Sequence, residues 1–579
     1  MATNLTMPKL GLTMETGKIA EWKKSEGADV KKGEIIMVVE TEKITYEVEC
    51  PADGVLHIVV PAEGEVPVAE LCAIIAADKG EYAGVAAGGA APAAAAPAAT
   101  AAPAAAAPAA AAAPAAAAPA GDVHVVVIGG GPGGYPAAIR IAQLGGKVTI
   151  IEKGEFGGTC LNRGCIPTKS LLQSANVYHM AKESKIFGIT MTGATVDFPA
   201  VMARKATVVK QLVGGLGGIL KSHGMTIIKG TGEIIDAKTV KVKETGETIK
   251  ADKIIIATGS VPSKVPIPGV DLPGVINSDG ALSLEKLPKS ILIIGGGVIG
   301  MEFAQVMKRM DVEVTVVEMM PQILPTEDEE IAKAFTAMIQ KEGIEILTNT
   351  SVSKIEDKGG KKLVTYGDKQ KEVDLVLVAV GRSPYTEGLG LDKVGVVMEK
   401  GFVKVNEYLE TSVPGIYAIG DAIGNYMLAH VATSEGETAA LNVLGKKHKM
   451  NYRSVPRAVY TSPEVASVGM SEKEAKAKYG GDVQIGRFPF VGCGKALVIN
   501  ETGGLVKIIA DKKYGEVLGV MILGPHATDL INEAALAIQM EATFEEMAHT
   551  IHAHPTIAES IMEAALDVDK KAIHMPKKK

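Results

Sequence analysis

The chain has 579 residues, more than one hydrophobic core usually holds, so its length predicts several domains. Its hydrophobic content of 47% comes largely from one alanine tract and aromatic residues make up only 4%, so the composition does not indicate a membrane protein. Five cysteines exclude a disulfide-stapled scaffold, and the formal charge of −7 argues against a nucleic-acid partner. The N-terminus shows neither an apolar signal core nor an Arg-rich leader, so we expect a cytoplasmic protein.

The first 80 residues form an acidic unit. They hold eight lysines, no arginine and fourteen acidic residues, so −6 of the formal charge lies there. Within them, "EIIMVVETEKITYEVECPADGVL" contains two alternating runs that predict the strands of a hairpin with Glu42 and Lys43 at its exposed tip. By pattern alone, Lys43 is a charged turn residue.

A linker is predicted from residue 83 to residue 121. This segment is almost only Ala, Pro and Gly, with prolines at 92, 97, 103, 108, 114 and 119. An isolated helix needs about 12–15 uninterrupted residues, and the repeated prolines prevent one. An extended chain at about 3.1 Å per residue would reach on the order of 100 Å, so we expect the N-terminal unit to be widely mobile.

Two later segments, residues 122–153 and 290–319, share a strand, glycine turn, helix and strand pattern. The first contains "VVVIGGGPGGYPAAI" and the second "ILIIGGGVIGMEFAQ", and each ends in an acid 23 residues after its first glycine. One such turn is a weak signal, whereas two at equal spacing predict two dinucleotide-binding units.

The glycines of each unit have predicted roles in a tight turn, in close approach to a pyrophosphate and in packing of helix against strand. They fall, in that order, at Gly129, Gly131 and Gly134, and at Gly295, Gly297 and Gly300. Glu152 and Glu318 would accept hydrogen bonds from adenosine ribose hydroxyls. Because a carboxylate at 318 repels a 2′-phosphate, the second nucleotide is predicted to be NAD rather than NADP. Farther along, "GIYAIGDAIG" predicts a strand ending in a turn, where Asp421 could hold a ribityl or phosphate group.

The stretch "GGTCLNRGCIPTK", residues 157–169, places Cys160 and Cys165 five positions apart. In a regular helix this spacing separates Cα atoms by roughly 8–9 Å, whereas a disulfide needs about 4.4–6.8 Å. A bridge therefore requires a distorted turn at a helix start, which the neighbouring glycines permit, and such a bond would be redox-active. Two free buried thiols or half of a zinc site are the alternatives.

A third lobe is predicted from about residue 454, and it contains "AHTIHAHPTIAES". His549, His552 and His554 could form a metal cluster, but no carboxylate ligand is fixed by spacing and Pro555 breaks any helix. A proton acceptor at this position suits thiol chemistry better, since imidazole titrates near neutral pH. No metal site is predicted.

The order of these motifs resembles that of the flavin disulfide reductases, and within that family those that oxidise dihydrolipoyl groups. The resemblance covers residues 122–579 and implies an α/β reductase with two Rossmann-like domains followed by an α+β domain. Its implied parts are FAD-binding residues 122–263, NAD-binding residues 264–386, a central segment 387–453 that completes the FAD site, and a dimerisation domain 454–579.

The resemblance also implies roles for individual residues. Cys160 would exchange with substrate and Cys165 would face the flavin, while His554 would act as the base, oriented by Glu559, at the flavin site of a partner subunit. The implied FAD contacts are Gly129, Gly131, Gly134, Glu152, Lys169, Gly259 and Asp421. The implied NAD-side residues are Gly295, Gly297, Gly300, Glu302 and Glu318. Lys169 and Glu302 match an ion pair beside the isoalloxazine.

Residues 1–80 resemble a lipoyl domain, a β-sandwich whose tip lysine, here Lys43, carries covalent lipoate; the family usually has Asp where this chain has Glu42. The combined resemblances imply oxidation of protein-bound dihydrolipoamide to lipoamide, with electrons passing via FAD to NAD⁺. They further imply a homodimer that serves a 2-oxo acid or acetoin dehydrogenase complex and meets the lipoyl domains of its acyltransferase. Neither nucleic acid nor membrane is an expected partner. Another reductase of the family and a non-catalytic carrier are the alternatives.

Overall fold

The computed structural model describes residues 2–7, 16–40, 45–62, 64–68, 70–86 and 123–577. The chain divides into two compact units, Met1–Ala112 and Ala113–Lys579. No helix within the described ranges is both long and apolar enough to cross a bilayer.

The N-terminal unit is a sandwich of two four-stranded antiparallel sheets. In spatial order, the first sheet contains Thr3–Thr6, Leu71–Ala76, Gly54–Ile58 and Asp29–Val30, and the second contains Thr45–Glu49, Ile35–Glu40, Thr16–Trp22 and Glu65–Pro67. Alternating apolar residues face inward, and they include the fully buried Ile19, Ile36 and Leu56. A helix, Lys79–Ala86, follows and spans the predicted boundary between domain and linker.

The strands Ile35–Glu40 and Thr45–Glu49 pair antiparallel, with Glu40 opposite Thr45. Lys43 falls between these two strands in the sequence but lies outside the described residues. The predicted exposed position of Lys43 therefore stays a prediction.

The first of the two predicted nucleotide-binding domains is built on a five-stranded parallel sheet. Its strands, in spatial order, are Thr226–Lys229, Lys147–Glu152, His124–Ile128, Lys253–Ile256 and Ile416–Ala418. The helices of this part are Gly134–Gln143, Gly158–Arg163, Cys165–Glu183, Phe198–Ser222 and Ala429–Val443. Nearly continuous β-branched runs such as "HVVVI" suit strands that are covered on both faces.

A second parallel sheet repeats this architecture. Its strands, in spatial order, are Val275–Ile276, Leu375–Val378, Ser290–Ile294, Glu313–Val317 and Glu345–Leu347. Its helices are Ser278–Ala281, Val298–Arg309 and Glu329–Lys341.

Smaller elements accompany both nucleotide-binding domains. Antiparallel ladders join Gly232–Asp236, Thr239–Val242 and Thr248–Lys250; Val352–Lys358, Lys361–Tyr366 and Lys369–Val373; Ser260–Pro262 and Arg382–Pro384; and Met398–Glu399 and Phe402–Val403. The remaining helix here is Leu391–Val394, and short 3₁₀ turns occupy Ser184–Phe187 and Gly420–Ala422.

The C-terminal lobe is an α+β domain with a five-stranded antiparallel sheet. Its strands, in spatial order, are Pro456–Val459, Glu464–Gly469, Val517–Gly524, Leu505–Asp511 and Val483–Pro489. Its helices are Glu472–Tyr479, Gly494–Val498, Ala527–Gln539, Phe544–His549 and Glu559–Val568, with a 3₁₀ turn at Phe490–Gly492. The helices Ala527–Gln539 and Glu559–Val568 pack on this sheet, and the histidine-rich segment lies between Phe544–His549 and Glu559–Val568.

Candidate active site

A cavity of about 1590 Å³ is lined by both glycine-rich turns and by the cysteine pair. Single small-molecule sites usually measure about 300–1,000 Å³, so this cavity has room for more than one ligand of that size. Gly259, Ser260 and Asp421, which come shortly after the strands Lys253–Ile256 and Ile416–Ala418 of the first parallel sheet, also line it. The fold therefore brings most of the sequence-predicted cofactor residues to one place.

The first glycine of each turn is sterically required. Gly129 has φ of 110° and Gly295 has φ of 108°, a region that side-chain-bearing residues rarely adopt. A Cβ at Gly129 would lie 2.2 Å from the carbonyl oxygen of Ala257, and one at Gly295 would lie 2.5 Å from that of Ala379. Each turn can therefore close over its neighbouring strand only with glycine at this position.

The remaining motif glycines differ in what surrounds them. A Cβ at Gly134 would stand 1.9 Å from the carbonyl oxygen of Gly129, and one at Gly300 would stand 2.0 Å from that of Gly295, so both allow the helix to pack tightly on its strand. A Cβ at Gly297 would meet no atom within 4 Å. A Cβ at Gly131 would lie 3.8 Å from its nearest neighbour, the Cα atom of Gly158. These two positions face open space, which a phosphate group could fill.

The acids that end the second strand of each unit point back to the turn. Oε2 of Glu152 accepts from the Gly130 amide at 2.7 Å, and Oε2 of Glu318 accepts from the Gly296 amide at 2.6 Å. Both carboxylates line the cavity, and each oxygen keeps lone pairs for further donors such as ribose hydroxyls.

The two cysteines lie at a break between two helices. Cys160 is in the short helix Gly158–Arg163, and Cys165 begins the long helix Cys165–Glu183. Between them, Gly164 has φ of −147° and ψ of −108°, which interrupts the helical path. The distorted turn that the sequence predicts is thus present, and both side chains are thiols in this structure.

The two sulfur atoms share their protons unequally. A hydrogen bond from Cys160 lowers the pKa of Cys165 to about 7, and the positive charge of Lys169 acts in the same direction. The same hydrogen bond raises the pKa of Cys160, because ionising Cys160 would place a second negative charge beside the first. The reduced pair therefore carries its thiolate on Cys165 and its proton on Cys160.

Lys169 and Glu302 form an ion pair at the cavity wall. Lys169 Nζ lies 2.9 Å from both carboxylate oxygens of Glu302, whose side chain is only 3% exposed. Glu302 Oε1 also accepts from the Tyr460 amide at 3.1 Å, and Lys169 Nζ stands 4.5 Å from the centre of the Tyr460 ring. The ammonium group is thereby fixed one helical turn from Cys165.

Arg382 and Ser260 belong to the same wall, although the sequence did not single them out. Arg382 Nε donates to Ser260 Oγ at 2.7 Å and its Nη2 donates to the Ser260 carbonyl at 2.8 Å. Ser260 Oγ in turn donates to Asp421. The available signal was the glycine–arginine pair "VGRSP" after an apolar strand, parallel to the glycine–serine pair in "ATGS".

His554 and Glu559 are also paired. His554 Nδ1 lies 2.9 Å from Glu559 Oε1, and Glu559 Oε2 accepts from the Thr556 amide at 2.8 Å. Although partial burial acts to raise the pKa of Glu559, the hydrogen bonds from Thr556 and His554 lower it overall. The His554 side chain is 78% exposed and neither residue is among those that line the cavity of the same chain.

The alternative of a metal cluster at the histidines finds no support in the described part of the chain, where no three His, Cys, Asp or Glu side chains are grouped as metal ligands. His552 instead bonds to Glu533, and His554 bonds to Glu559.

One further buried acid escaped the sequence analysis. Glu435, which is completely buried, accepts from the Gly420 amide at 2.6 Å and from the Tyr452 hydroxyl at 2.7 Å. Burial raises its pKa to about 7. No local pattern marks this residue, since its partners come from other elements, and it supports the turn that carries Asp421.

Comparison with known proteins agrees with this arrangement. Residues 123–436 match the family model described as pyridine nucleotide-disulphide oxidoreductase, and residues 455–565 match the dimerisation domain of the same family. Residues 3–75 match the biotin/lipoyl domain model described as biotin-requiring enzyme.

The chain matches named relatives over nearly the whole length of each relative. A dihydrolipoyl dehydrogenase of Bacillus subtilis is 44% identical over 473 residues, which is 78% of this chain and 98% of the relative. A mitochondrial dihydrolipoyl dehydrogenase of Pisum sativum is 44% identical, covering 78% of this chain and 92% of its own.

Among solved structures, LpdA from Mycobacterium tuberculosis matches with a TM-score of 0.72 at 29% identity, over 76% of this chain and 99% of that one. The flavoprotein disulfide reductase RclA from Escherichia coli matches with a TM-score of 0.70 at 30% identity, over 77% of this chain and 99% of that one. The chain therefore belongs to the pyridine nucleotide-disulphide oxidoreductases, a family that binds FAD and NAD, and carries a biotin/lipoyl-type domain at its N-terminus.

Proposed function

We propose that this chain is a dihydrolipoyl dehydrogenase, which oxidises protein-bound dihydrolipoamide and delivers the electrons through FAD to NAD⁺. The observation that carries the proposal is that the thiol pair, Cys160 and Cys165, lines the same cavity as two dinucleotide-type turns. The 44% identity to named dihydrolipoyl dehydrogenases supports the choice of substrate.

The first turn would hold FAD and the second NAD. Open space before Gly131 and Gly297 fits a pyrophosphate in each case, and the free lone pairs of Glu152 and Glu318 fit ribose hydroxyls. The complete FAD set is Gly129, Gly131, Gly134, Glu152, Lys169, Gly259 and Asp421, and the NAD-side set is Gly295, Gly297, Gly300, Glu302 and Glu318. When bound, FAD supplies an acceptor for an electron pair and NAD⁺ supplies the final hydride acceptor.

The protein residues carry out the thiol chemistry. With the pair oxidised, His554 takes a proton from dihydrolipoamide, and the resulting thiolate attacks the sulfur of Cys160. The Cys160–Cys165 bond breaks and Cys165 leaves as a thiolate. The second substrate thiol then attacks its partner sulfur in the mixed disulfide, which breaks the bond to Cys160 and releases lipoamide, while the proton of that thiol passes to Cys160 and leaves it as a thiol. The direction of the two pKa shifts, which makes Cys165 ionise more readily than Cys160, fits the product of this sequence.

The active form would be a homodimer. His554 is 78% exposed and does not line the cavity of its own chain, so the base must reach a cavity from outside. A second subunit docked through the C-terminal lobe would supply it, which fits the match of residues 455–565 to a dimerisation domain.

The N-terminal domain would carry lipoate on Lys43. Its two sheets and its match to the biotin/lipoyl domain model support a carrier role, and the sequence places Lys43 between two paired strands. The reductase would thereby act on its own lipoyl group and on those of an acyltransferase in a 2-oxo acid or acetoin dehydrogenase complex.

The proposal is tested by Cys160→Ser. We expect the variant to bind FAD but to lose dihydrolipoamide oxidation, because no sulfur remains for the substrate thiolate to attack. Cys50→Ser, in the N-terminal domain, is the matched control and should keep full activity. Persistent turnover of dihydrolipoamide by the Cys160 variant would contradict the proposed function.

A further inference from the structure

The segment that carries His554 is held by side chains rather than by secondary structure. Residues 550–558 connect the helices Phe544–His549 and Glu559–Val568 without regular structure. Within the continuous described stretch 123–577, no backbone amide from 551 to 556 donates to a backbone carbonyl. We call residues 550–558 the histidine loop. Its conformation must therefore depend on the side chains that anchor it.

His552 is one of two side-chain hydrogen-bond anchors between the histidine loop and described residues beyond its flanking helices; the other is the Cys493 thiol, which donates to the Thr556 carbonyl oxygen at 3.5 Å. The His552 side chain is only 6% exposed. Its Nδ1 lies 2.8 Å from the Thr550 carbonyl oxygen, and its Nε2 lies 3.0 Å from Oε1 of Glu533 on the helix Ala527–Gln539. Both of these partners are acceptors. A neutral imidazole donates through one nitrogen only, so the two bonds form together only when both ring nitrogens carry protons.

We propose that His552, clamped between the Thr550 carbonyl and Glu533, is a positioning residue that fixes the histidine loop and thereby the place of His554. The proposal rests on the proposed function, in which His554 is the base. Only Ala553 separates His552 from His554, and His554 itself is tied solely through Nδ1 to Glu559 among the described contacts. Loss of the clamp would leave the His554–Glu559 pair intact while allowing the loop to move.

The charges around His552 favour its protonated form. Glu533 faces the ring from one helix, and Glu559 acts on it from the next. The carboxylate of Glu546, on the helix that precedes the loop, is instead turned back to Thr543. The hydrogen bond to Glu533 raises the pKa of His552. The clamp is therefore present at pH values below this raised pKa and is lost as pH rises through it.

The test uses Glu533→Gln and His552→Gln in the full-length, FAD-loaded protein. Two activities are measured across pH: dihydrolipoamide oxidation by NAD⁺, and oxidation of NADH by ferricyanide, which needs no dithiol base. We expect His552→Gln to lower kcat for dihydrolipoamide on the order of 10- to 100-fold, because a misplaced base loses alignment with the substrate thiol. Ferricyanide reduction should be unchanged in both variants, which also shows that they fold and bind FAD.

The pH profile separates positioning from general damage. In Glu533→Gln the pKa of His552 falls back, so the alkaline limb of dihydrolipoamide oxidation should move to lower pH while the acid limb stays in place. Glu545→Gln, which removes the same charge from the exposed face of the neighbouring helix, is the matched control and should leave the profile unchanged. An unshifted alkaline limb in Glu533→Gln would overturn the clamp, whereas absence of dihydrolipoamide oxidation in the parent protein would overturn the proposed function instead.

Discussion

At the scale of single residues, the pKa values of Cys160 and Cys165 depend on each other. The raised pKa of Cys160 and the lowered pKa of Cys165 are two sides of one hydrogen bond between the sulfurs, while the positive charge of Lys169 favours ionisation of either sulfur. A thiolate held one turn from an ammonium group is available at neutral pH without a separate base. Thiol exchange and electron delivery can therefore be assigned to different sulfurs.

Replacement of Lys169 by Met tests this division. Removing the positive charge should raise the pKa of Cys165 by about one unit, since a nearby opposite charge stabilises the ionised form. The measurement is the pH dependence of iodoacetamide modification of the dithiol-reduced protein, with the modified cysteine located by peptide mapping. Lys182→Met, at the far end of the same helix, is the control and should keep the parent midpoint. An unchanged midpoint in Lys169→Met would contradict the electrostatic assignment.

The buried Glu435 predicts a pH-dependent stability. Its pKa is about 7 in the folded protein against an ordinary value of 4.5, so the folded state must hold a proton that the unfolded state releases. Folding stability is therefore unaffected below pH 4.5 and falls as pH rises toward 7, by roughly 3 kcal/mol in total.

Glu435→Gln should remove this dependence, because an amide stays neutral at every pH. The stability of the variant relative to the parent should therefore be greater at pH 8 than at pH 5. The measurement is the difference in thermal midpoint between the two FAD-loaded proteins at each pH. A difference that is equal at the two pH values would refute the assignment.

Several site residues were predictable because their signal is local. The two glycine turns, with the acids at Glu152 and Glu318, follow from patterns within 30 residues, and so does the helix break between the cysteines. Glu435 was not predictable, since it acts through partners on other elements, and the glycine–arginine pair that marks Arg382 does not show its distant partner Ser260. Assigning a role to His554 needed a family resemblance, because exposure and pairing do not show what the residue faces.

At the scale of elements, a buried ionic cluster joins the second nucleotide-binding domain to the C-terminal lobe. Lys507, on the strand Leu505–Asp511, is 1% exposed and lies 2.9 Å from Asp328 and Glu330 and 2.7 Å from Glu472. Asp328 caps the helix Glu329–Lys341, and Glu472 begins another helix. Hydrophobic periodicity predicts each of these elements but gives no indication that their ends meet.

Lys507→Met should destabilise the protein by about 3–5 kcal/mol, because it leaves the buried carboxylate of Asp328 without its cation, although Arg487 still pairs with Glu330 and Glu472. Denaturant unfolding of the FAD-loaded protein measures the loss, and Lys512→Met, at an exposed position just after the same strand, is the control. A loss similar to that of the control would show that the cluster contributes no net stability.

The same cluster predicts acid sensitivity. Burial acts to raise the pKa of Glu472, but hydrogen bonds from Lys476 and Lys507 lower it to about 2. Its contribution to stability is present above the ordinary pKa of 4.5 and is lost as pH falls toward 2. Acid should therefore weaken the contact between the two domains in the parent more than in Glu472→Gln, which limited proteolysis across this pH range can measure.

At the scale of the whole molecule, a carrier-type domain and a reductase share one chain. If Lys43 carries lipoate, the connecting segment holds substrate near the enzyme at an effective concentration of roughly millimolar. Oxidation of the chain's own dihydrolipoyl group should then be independent of protein concentration.

A mixture of two full-length variants provides the comparison. Lys43→Arg keeps the reductase but has no lipoyl site, and Cys160→Ser keeps the lipoyl site but has no active reductase. In the mixture, lipoyl oxidation should be slower than in the parent at micromolar protein and should increase with concentration. Equal rates in the mixture and the parent would show that tethering gives no advantage.

The strand Ile416–Ala418 completes the first parallel sheet, although in the sequence it comes after every strand of the second parallel sheet. The first nucleotide-binding domain is thus interrupted in the chain, and its last strand leaves the ribosome more than 150 residues after Lys253–Ile256. During synthesis, the second domain is complete before the first can close. Asp421 follows that late strand, so if Asp421 holds FAD as proposed, flavin can be loaded onto the nascent polypeptide only after translation has passed this position.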